Sequence, residues 1–481
     1  MSNAANIVLF SADVVTDWVA DTKYFNNPVD PSSSSDGIFA DSNGNVIVAM
    51  SGSPAFGVHC YNKYSALQHI RINNGLTVSG GGTYNPDAIF VPYANGTLKA
   101  AYTPTFDDPD GVNAWQVFNV YDVDPTDGSL TLFAKGRGSS IQHSDGGYTT
   151  ITHGAGDSSN NFYGCGFTRE QGGYEFPYLT KYNSSGTIQW AKYLQPQKAT
   201  HTGSGVETAN FGSAQQMVAD SSGNTYVSLR HTTNSSSSPT FTNKIMKFNS
   251  SGTQQWVREV NTYCKDIVAA DANYLYCLSA NPDFIISALS VSDGSVAWER
   301  TLSLSGSEFT PLNVHFYNSN LYISAKSRIV STDTTGMTWV KMSTSGAFDW
   351  DLHVYANTVS APSGFNNAKN TFVVGGKMYM TFEGLEGVTT VVLPIDASKT
   401  GTTGFAHIGF GGAAPFTYST YLVNIIVEDR AVSSASSSNS TSTSSSYSVG
   451  TETITTSDVD TFDLNVSNNA AAIKTMLAPT N

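Results

Sequence analysis

Two short acidic segments are the first places where this sequence could do chemistry. Thr105–Gly111 reads TFDDPDG, and Asp122–Gly128 reads DVDPTDG. Paired carboxylates can hydrolyse a glycosidic bond when they converge on one site. The second segment loosely resembles a calcium-binding loop of oxygen ligands, but it lacks the distal Glu of an EF-hand. Because Asp also stabilises tight turns, we interpret both segments as turns, together with the weaker DSNGN of Asp41–Asn45.

The remaining reactive side chains form no recognised catalytic motif. The nine histidines are scattered without an HxH or HExxH pattern, which disfavours a transition-metal site. There is no GxSxG elbow, P-loop or dinucleotide-binding glycine pattern, and we interpret Gly80–Gly82 and Gly409–Gly412 as loops. We therefore assign no catalytic, cofactor-binding or metal-binding residue, expect no cofactor, and expect that the protein is not an enzyme.

The four cysteines are Cys60, Cys165, Cys264 and Cys277. They form no CxxC pair and show no His/Cys metal spacing. Cys264 and Cys277 could lie on adjacent strands, although buried free thiols are the preferred interpretation for all four.

The charge balance excludes several classes of function. The chain has 24 basic and 38 acidic residues and a formal net charge of −14. A protein that reads a nucleic-acid backbone needs a basic face, and an anionic membrane attracts basic segments. The N-terminus, MSNAANIVLFSADVV, lacks the basic region and apolar core of a secretory signal. We therefore expect no nucleic-acid partner, no membrane insertion and no signal-dependent export.

The elements that position these residues are repeated hairpins. One hairpin unit joins two apolar strands through a polar turn, as in QMVADSSGNTYVSL (Gln216–Leu229). The next unit is a strand, a glycine turn and a strand with an aromatic residue, as in KYNSSGTIQW (Lys181–Trp190) and KFNSSGTQQW (Lys247–Trp256). Asn-Gly and Ser-Gly turns favour antiparallel hairpins because they tolerate positive φ. The two units alternate along the chain.

Two hairpins make a four-stranded antiparallel meander, and about seven such units fit between residues 30 and 415. This pattern predicts an all-β fold, a β-propeller of about seven four-stranded antiparallel blades. A β-solenoid would have shorter repeats, and tandem sandwiches would have longer ones. The ring needs a closing strand, for which Asn6–Phe10 and Tyr421–Asp429 are the two candidates.

Tryptophans recur at one position of the second unit, at Trp190, Trp256, Trp298 and Trp350. Exposed tryptophans could stack against sugars, but a fixed position within a repeat favours packing between blades. We interpret them as packing residues.

The composition changes after the repeats, since Ser433–Ser448 contains 11 Ser in 16 residues. This predicts a flexible or extended tether. In the residues that follow, FDLNV predicts a strand and NNAAAIKTML predicts a short helix. We divide the chain into an N-terminal arm or closing strand (1–29), a propeller (30–431), a Ser-rich linker (432–448) and a small C-terminal docking segment (449–481). A segment of this size cannot fold alone and can dock on a partner by strand addition or helix packing.

The unit SVSDGSVAW (Ser290–Trp298), with NSSGTIQW and NSSGTQQW, resembles the blade motif of the PQQ-like bacterial β-propeller repeats. That resemblance implies a propeller with a tryptophan packed between blades. The enzymes of that family bind a quinone and calcium and use an adjacent cysteine pair, which this chain lacks. The overall pattern also resembles virion proteins of tailed bacteriophages, including marine and cyanobacterial ones, which are acidic, poor in charge and rich in Gly, Ser, Thr and Asn.

The resulting expectation is a non-enzymatic virion structural protein, associated with the capsid, tail or fibre and anchored through its terminal segments. Its partners would be other virion proteins, bound through the C-terminal segment, in an assembly of multiple copies. The alternatives are an adhesin that binds a host surface or glycan and a propeller enzyme of the quinoprotein or glycosidase type.

Overall fold

The computed structural model contains 35 β-strands and no helix in the part of the chain that it describes. That part runs from residue 34 to residue 468 with gaps. The longest gaps are 75–86, 139–148, 197–213, 357–366, 395–402, 407–415, 430–446 and 456–464, and residues 1–33 and 469–481 also lie outside it.

The chain builds its sheets one after another. The first sheet contains β1 (Ser34–Ala40), β2 (Val46–Gly52), β3 (Ala55–Tyr61) and β4 (Leu67–Asn74). The second begins with β5 (Asp87–Pro92) and β6 (Leu98–Thr103), is interrupted by a separate ribbon of β7 (Thr105–Asp107) and β8 (Ala114–Gln116), and resumes with β9 (Phe118–Val123) and β10 (Leu130–Gly138). The third contains β11 (Thr149–Gly156), β12 (Phe162–Glu170), β13 (Tyr174–Tyr182) and β14 (Ile188–Pro196).

The next sheets repeat this order. The fourth contains β15 (Ala214–Ala219), β16 (Thr225–Thr233), β17 (Thr240–Phe248) and β18 (Gln254–Val260). The fifth contains β19 (Tyr263–Ala269), β20 (Tyr274–Ala280), β21 (Phe284–Ser290) and β22 (Val296–Ser303). The sixth contains β23 (Glu308–Tyr317), β24 (Asn320–Ile329), β25 (Thr334–Ser343) and β26 (Phe348–Ala356), and the seventh contains β27 (Asn367–Val374), β28 (Lys377–Gly384) and β29 (Gly387–Pro394).

The polar turns of the sequence form these hairpins through side-chain capping. In the turn between β17 and β18, the Asn249 side-chain oxygen accepts the backbone N–H groups of Ser251 (3.1 Å) and Thr253 (2.9 Å). Gly252 adopts φ of +76° in that turn, a conformation that strains any residue with a Cβ. Asp220 caps the turn between β15 and β16 in the same way, by accepting the N–H groups of Ser222 and Asn224.

Apolar cores lie between successive sheets. One core combines Leu278 and Ile286 of the fifth sheet with Ile323 and Val340 of the sixth. The central strand β21 is buried along almost its whole length, because its two faces pack against the neighbouring sheets. Strands buried on both faces are expected to be nearly continuously apolar, and the sequence FIISALS fits this apart from Ser287 and the terminal Ser290.

These features confirm an all-β propeller of four-stranded antiparallel blades, in which sheets stand side by side and bury cores between them. The predicted number of about seven blades is not confirmed. Five consecutive four-stranded blades, the second to the sixth sheet, stand side by side, and their first strands contact one another in chain order. The seventh sheet contains three strands among the described residues, because β30 (Thr403–Ala406), which follows β29 in the chain, joins the sixth sheet instead.

The chain then turns back along the outside of the blades. β31 (Phe416–Tyr421) pairs with β26, β32 (Ile426–Asp429) with β22, β33 (Tyr447–Thr451) with β14, β34 (Ile454–Thr455) with β10, and β35 (Asn465–Asn468) with β4. All five pairings are antiparallel. Tyr421–Asp429 therefore extends the sixth and fifth sheets and does not close the seventh, contrary to one of the two sequence alternatives. The other candidate, Asn6–Phe10, lies outside the described residues.

The same strands do not support a tether followed by a separate docking segment. β33, β34 and β35 lie within or beyond the predicted linker, and each pairs with a blade of its own chain. The predicted FDLNV strand overlaps β35 only at Asn465 and Val466. The predicted NNAAAIKTML helix and most of the Ser-rich linker lie outside the described residues.

Candidate functional site

Three of the four repeated tryptophans, Trp190, Trp256 and Trp298, lie between blades, where each one contacts a turn of the next blade. The Trp190 indole N–H donates to the Ser250 carbonyl at 3.2 Å, and Lys181 donates to the same carbonyl at 3.1 Å. One blade further, the Trp256 N–H and Lys247 both donate to the Val291 carbonyl, at 3.2 and 2.7 Å. In both cases two donors on adjacent strands satisfy one turn carbonyl of the following blade.

The next interface keeps the tryptophan and replaces the lysine. Trp298 and the Tyr276 hydroxyl both donate to the Thr344 carbonyl, each at 3.1 Å. A tyrosine of the same blade also packs beside each indole, with ring centroids 6.3 Å apart for Tyr163 and Trp190. These three tryptophans therefore join blades, as the sequence interpretation expected. The fourth tryptophan, Trp350, packs against Tyr322, with ring centroids 6.2 Å apart.

The two acidic segments begin on strands and not in turns, since Thr105–Asp107 forms β7 and Asp122 lies on β9. Asp122, from the DVDPTDG segment, forms an ion pair with Lys99, whose ammonium lies 3.5 Å from the centroid of the Phe133 ring. The TFDDPDG segment enters the β7–β8 ribbon through Thr105–Asp107, and its remaining residues lie outside the described part. Asp41 is buried, and its charge adds to the effect of burial in raising the pKa of Tyr379.

One acid that the sequence analysis did not single out links two neighbouring blades. Asp266, on the first strand of the fifth sheet, accepts the Val314 N–H of the sixth sheet at 2.8 Å and the Ile267 N–H at 2.9 Å. Loss of hydration raises the pKa of its carboxyl group to about 7, although these hydrogen bonds act in the opposite direction. The bulges that the structure records at Cys264/Asp266 and at Pro311/Asn313 give no clear signal in the sequence.

The described histidines take part in packing. His353 is fully buried and lies 3.1 Å from the Ser327 hydroxyl and 3.0 Å from the Thr338 hydroxyl, and burial lowers its pKa to about 3. His315 lies 2.9 Å from the Thr371 hydroxyl of the seventh sheet, and burial lowers its pKa to about 4.

Cys165, Cys264 and Cys277 are buried free thiols, with Cys264 and Cys277 on the adjacent strands β19 and β20. Cys60 lies on β3, and its side chain is outside the described part. Within the described residues there is no group of three or more His, Cys, Asp or Glu residues that could hold a metal ion. The same residues contain no helix that is long and apolar enough to cross a membrane.

The outer edges of the blades are the surfaces that bind an additional chain segment, and they form the candidate functional site. In the third sheet the pairing with the fifth strand includes Lys192 opposite Thr451, and in the fifth sheet it includes Arg300 opposite Asp429. Both basic residues stand two positions after a blade tryptophan, Trp190 and Trp298. An exposed edge strand presents unpaired backbone groups that bind another strand, and this fold uses that property five times.

Sequence reasoning did not predict the pairing of these edge strands, and it missed β33 and β34 because they are short and polar. A strand such as YSVGT, between a serine-rich segment and a two-residue strand, has too few apolar residues to show a two-residue period. Its pairing depends on backbone hydrogen bonds offered by the blade edge, which a local sequence pattern does not reveal.

No family model matches the chain, and no curated protein matches it. Among solved structures, it is similar to Sqt1 of Saccharomyces cerevisiae, at 12% identity and a TM-score of 0.37, over 79% of this chain and 99% of that one. It is similar to the WD40 β-propeller domain of Doa1 at 9% identity and a TM-score of 0.39, over 79% and 98%. It is also similar to XC5397 of Xanthomonas campestris, described as a gluconolactonase, at 11% identity and a TM-score of 0.34, over 63% of this chain and 84% of that one. The propeller architecture follows from the order of strands in the sheets and the cores between them.

Proposed function

We propose that this chain is a non-enzymatic structural protein of a tailed-bacteriophage particle, in which a rigid propeller is held in an assembly of multiple copies. The observation that carries the proposal is the use of blade edges as strand-binding surfaces, at β4, β10, β14, β22 and β26. Strand addition at a sheet edge is a general mode of protein–protein assembly. The chain has few charged residues, and most of them are acidic. This composition resembles that of phage particle proteins and supports a virion location.

The contacts between blades support a structural role. The tryptophan and lysine donors at Ser250 and Val291 tie consecutive blades together. Asp266 adds a link between the first strands of two blades. These polar side chains fix the orientation of consecutive blades. A rigid ring of this kind suits display on a particle surface.

We also propose that the first and seventh sheets complete the ring as further blades, giving about seven. This part of the proposal is supported by the contact of β27 with β1 and by the rings of Phe39 and Phe372, whose centroids lie 5.4 Å apart. Cryo-electron microscopy of the purified protein tests it through the number of blades in class averages. An open arc of five blades would overturn it.

The particle role is tested by purifying phage particles from cells that express the chain and measuring its copy number by quantitative mass spectrometry. The proposal expects a fixed number of copies per particle that survives density-gradient purification. A chain that is abundant in the lysate and absent from particles would overturn it. Calcium-dependent quinone uptake, or binding on a glycan array, by the purified protein would favour the enzyme or the adhesin instead.

The contribution of the C-terminal residues is tested with a chain that lacks residues 433–481. The proposal expects this variant, which also loses the edge strands β33, β34 and β35, to be missing from particles, and its tertiary circular dichroism shows whether the blades stay folded without those strands. The full-length chain, produced in parallel, is the control. Normal incorporation of the truncated chain would exclude anchoring through this segment.

A further inference from the structure

Two of the buried free thiols lie next to each other in the fifth sheet. Cys264 is on β19 and Cys277 is on β20, and these two strands pair antiparallel. The register sets Cys264 opposite Ser279, and Ser279 is two residues from Cys277 on the same strand. Because residues two apart on a strand point to the same face of a sheet, both cysteines stand on one face of this hairpin.

A β-bulge keeps this face apolar on the first strand. The register shifts between Cys264 and Asp266, so Lys265 is an extra residue of β19. Without it, Cys264 and Ile267 would point to opposite faces, since they are an odd number of residues apart. With it, both of them join Cys277 in the apolar core that the fifth sheet shares with the fourth.

The two thiols contact each other inside this core. A hydrogen bond joins the Cys264 and Cys277 side chains, and Cys264 Sγ also donates to the Asp266 carbonyl at 3.4 Å. Only 3% of Cys264 and 2% of Cys277 is exposed. Burial, followed by the hydrogen bond to Cys264, raises the pKa of Cys277 well above its ordinary value. Cys277 is therefore protonated at neutral pH, and its sulfur lies beside a second one.

We propose that Cys264 and Cys277 are a redox pair that forms a disulfide when the protein meets an oxidising low-molecular-weight disulfide such as glutathione disulfide. One cysteine thiolate attacks a sulfur of glutathione disulfide and releases one glutathione thiolate. The other cysteine thiolate then attacks the mixed disulfide and releases the second glutathione thiolate. The two protein thiols are oxidised, glutathione disulfide is reduced to two glutathione molecules, and the two protons pass to the released thiolates.

Burial determines when this exchange takes place. Since the thiols are almost inaccessible, the reaction occurs during local opening of the β19–β20 hairpin. The product ties the two strands together covalently, and it persists in the oxidising surroundings outside a reducing cytosol. The inference goes beyond the particle role and does not depend on it, because oxidation is measured on the isolated protein.

The effective concentration of the two thiols tests the proposal. The intact wild-type protein is equilibrated in glutathione redox buffers, starting from its reduced and from its oxidised form, and differential alkylation with peptide mass spectrometry measures the disulfide fraction. The measurement is repeated in denaturing urea, where a short flexible segment such as residues 265–276 gives an effective concentration of about 1 mM. The native fold is expected to raise this value at least about tenfold, because it already holds the two sulfurs in contact.

Stability provides an independent check of the same ratio. A thermodynamic cycle requires a tenfold higher effective concentration in the native fold to appear as about 1.4 kcal/mol of additional unfolding free energy in the oxidised protein. Cys165, a buried free thiol on β12, is the internal control and is expected to remain a free thiol. Cys264→Ser is expected to leave Cys277 as a free thiol.

An effective concentration in the native protein that is equal to or below that in urea overturns the proposal, since the fold would then keep the sulfurs apart. A disulfide from either cysteine to Cys60 or Cys165, formed in place of the Cys264–Cys277 bond, also overturns it. Oxidation of Cys277 to the same extent in Cys264→Ser as in the wild type has the same meaning, because the pair would then not be required.

Discussion

Gly252 lies directly beneath the indole of Trp190, a residue of the preceding blade. A Cβ at position 252 would stand 2.9 Å from Trp190 Cδ2, closer than carbon atoms normally approach. The glycine also has φ of +76°. Gly294 stands in the same relation to Trp256, and Gly346 to Trp298. At each of these interfaces, the turn glycine of one blade therefore packs against the strand tryptophan of the preceding blade.

Gly252→Ala is expected to destabilise the protein more than a glycine substitution that involves only backbone strain. The positive φ costs about 1–2 kcal/mol, and displacement of the indole adds about 1–3 kcal/mol. Gly376→Ala is the matched control, because Gly376 also has φ of +76° and its Cβ would meet nothing within 4 Å. Urea denaturation of both variants measures the difference. Equal losses of unfolding free energy in Gly252→Ala and Gly376→Ala would show that the Trp190 indole moves aside without an energetic penalty.

The sequence predicted the hairpins and tryptophan packing because both depend on local patterns. Asn249-Ser-Ser-Gly-Thr is a turn wherever it occurs, since the Asn side chain caps it and Gly supplies the positive φ. The pairing of the strands that follow Pro394 could not be predicted from local patterns. Whether Tyr421–Asp429 closes the ring or extends other sheets depends on which blade edges are open, a property of the assembled fold.

The links between blades that involve side-chain carboxylates were also invisible to the sequence. Asp157 caps its own turn by accepting the N–H groups of Ser159 and Asn161, which a turn motif suggests. Its second oxygen accepts the Tyr163 hydroxyl at 2.8 Å, close to Gly223 of the next blade. The Asp157–Tyr163 hydrogen bond lies within the third sheet, whereas the Tyr163 hydroxyl and the Gly223 carbonyl, 3.3 Å apart, become neighbours only once two blades pack.

Tyr163→Phe is expected to destabilise the protein by about 1–3 kcal/mol, because it leaves a buried carboxylate oxygen with one hydrogen bond fewer. Tyr93→Phe is the matched control: Tyr93 is also buried, and its hydroxyl has no hydrogen-bond partner. That variant is expected to be neutral or slightly stabilising. Chemical denaturation provides both values. A loss for Tyr93→Phe as large as that for Tyr163→Phe would contradict the assignment.

Asp266 is expected to make stability depend on pH in the direction opposite to an ordinary salt-bridged acid. Its folded-state pKa of about 7 is above the ordinary value of 3.8, so its favourable contribution is complete below about pH 4 and is lost as the pH rises through 7. Asn at this position offers one acceptor oxygen to the Val314 and Ile267 N–H groups, and is expected to cost about 1–3 kcal/mol at pH 4.

The wild type is expected to have a higher free energy of unfolding than Asp266→Asn at pH 4. This difference in unfolding free energy is expected to shrink by up to about 1.4 kcal/mol per pH unit as the pH rises from 4 to 7. Denaturation midpoints at several pH values measure it. Asp220→Asn serves as the comparison, since Asp220 is the turn-capping acid of the neighbouring blade. A constant difference for Asp266→Asn would contradict the role of lost hydration.

His353 is expected to contribute to acid unfolding. Its pKa is lowered to about 3 by burial, below the ordinary 6.5, so the stability it provides is complete above about pH 6.5 and falls as the pH drops towards 3. The Ser327 and Thr338 hydroxyls beside it can hydrogen-bond to the neutral ring, but they carry no negative charge to compensate for an imidazolium. Acidification must therefore charge this ring in the unfolded chain before the folded one.

His353→Gln keeps a polar side chain beside both hydroxyls and removes the titration. The variant is expected to lose stability at pH 7, by about 1–3 kcal/mol if the new amide leaves one hydroxyl without a partner. Its stability is also expected to decline less steeply than that of the wild type between pH 6.5 and 4, by up to about 1.4 kcal/mol per pH unit. Thermal melts across this range provide the slopes. Parallel slopes for the two proteins would show that protonation of His353 does not drive acid unfolding.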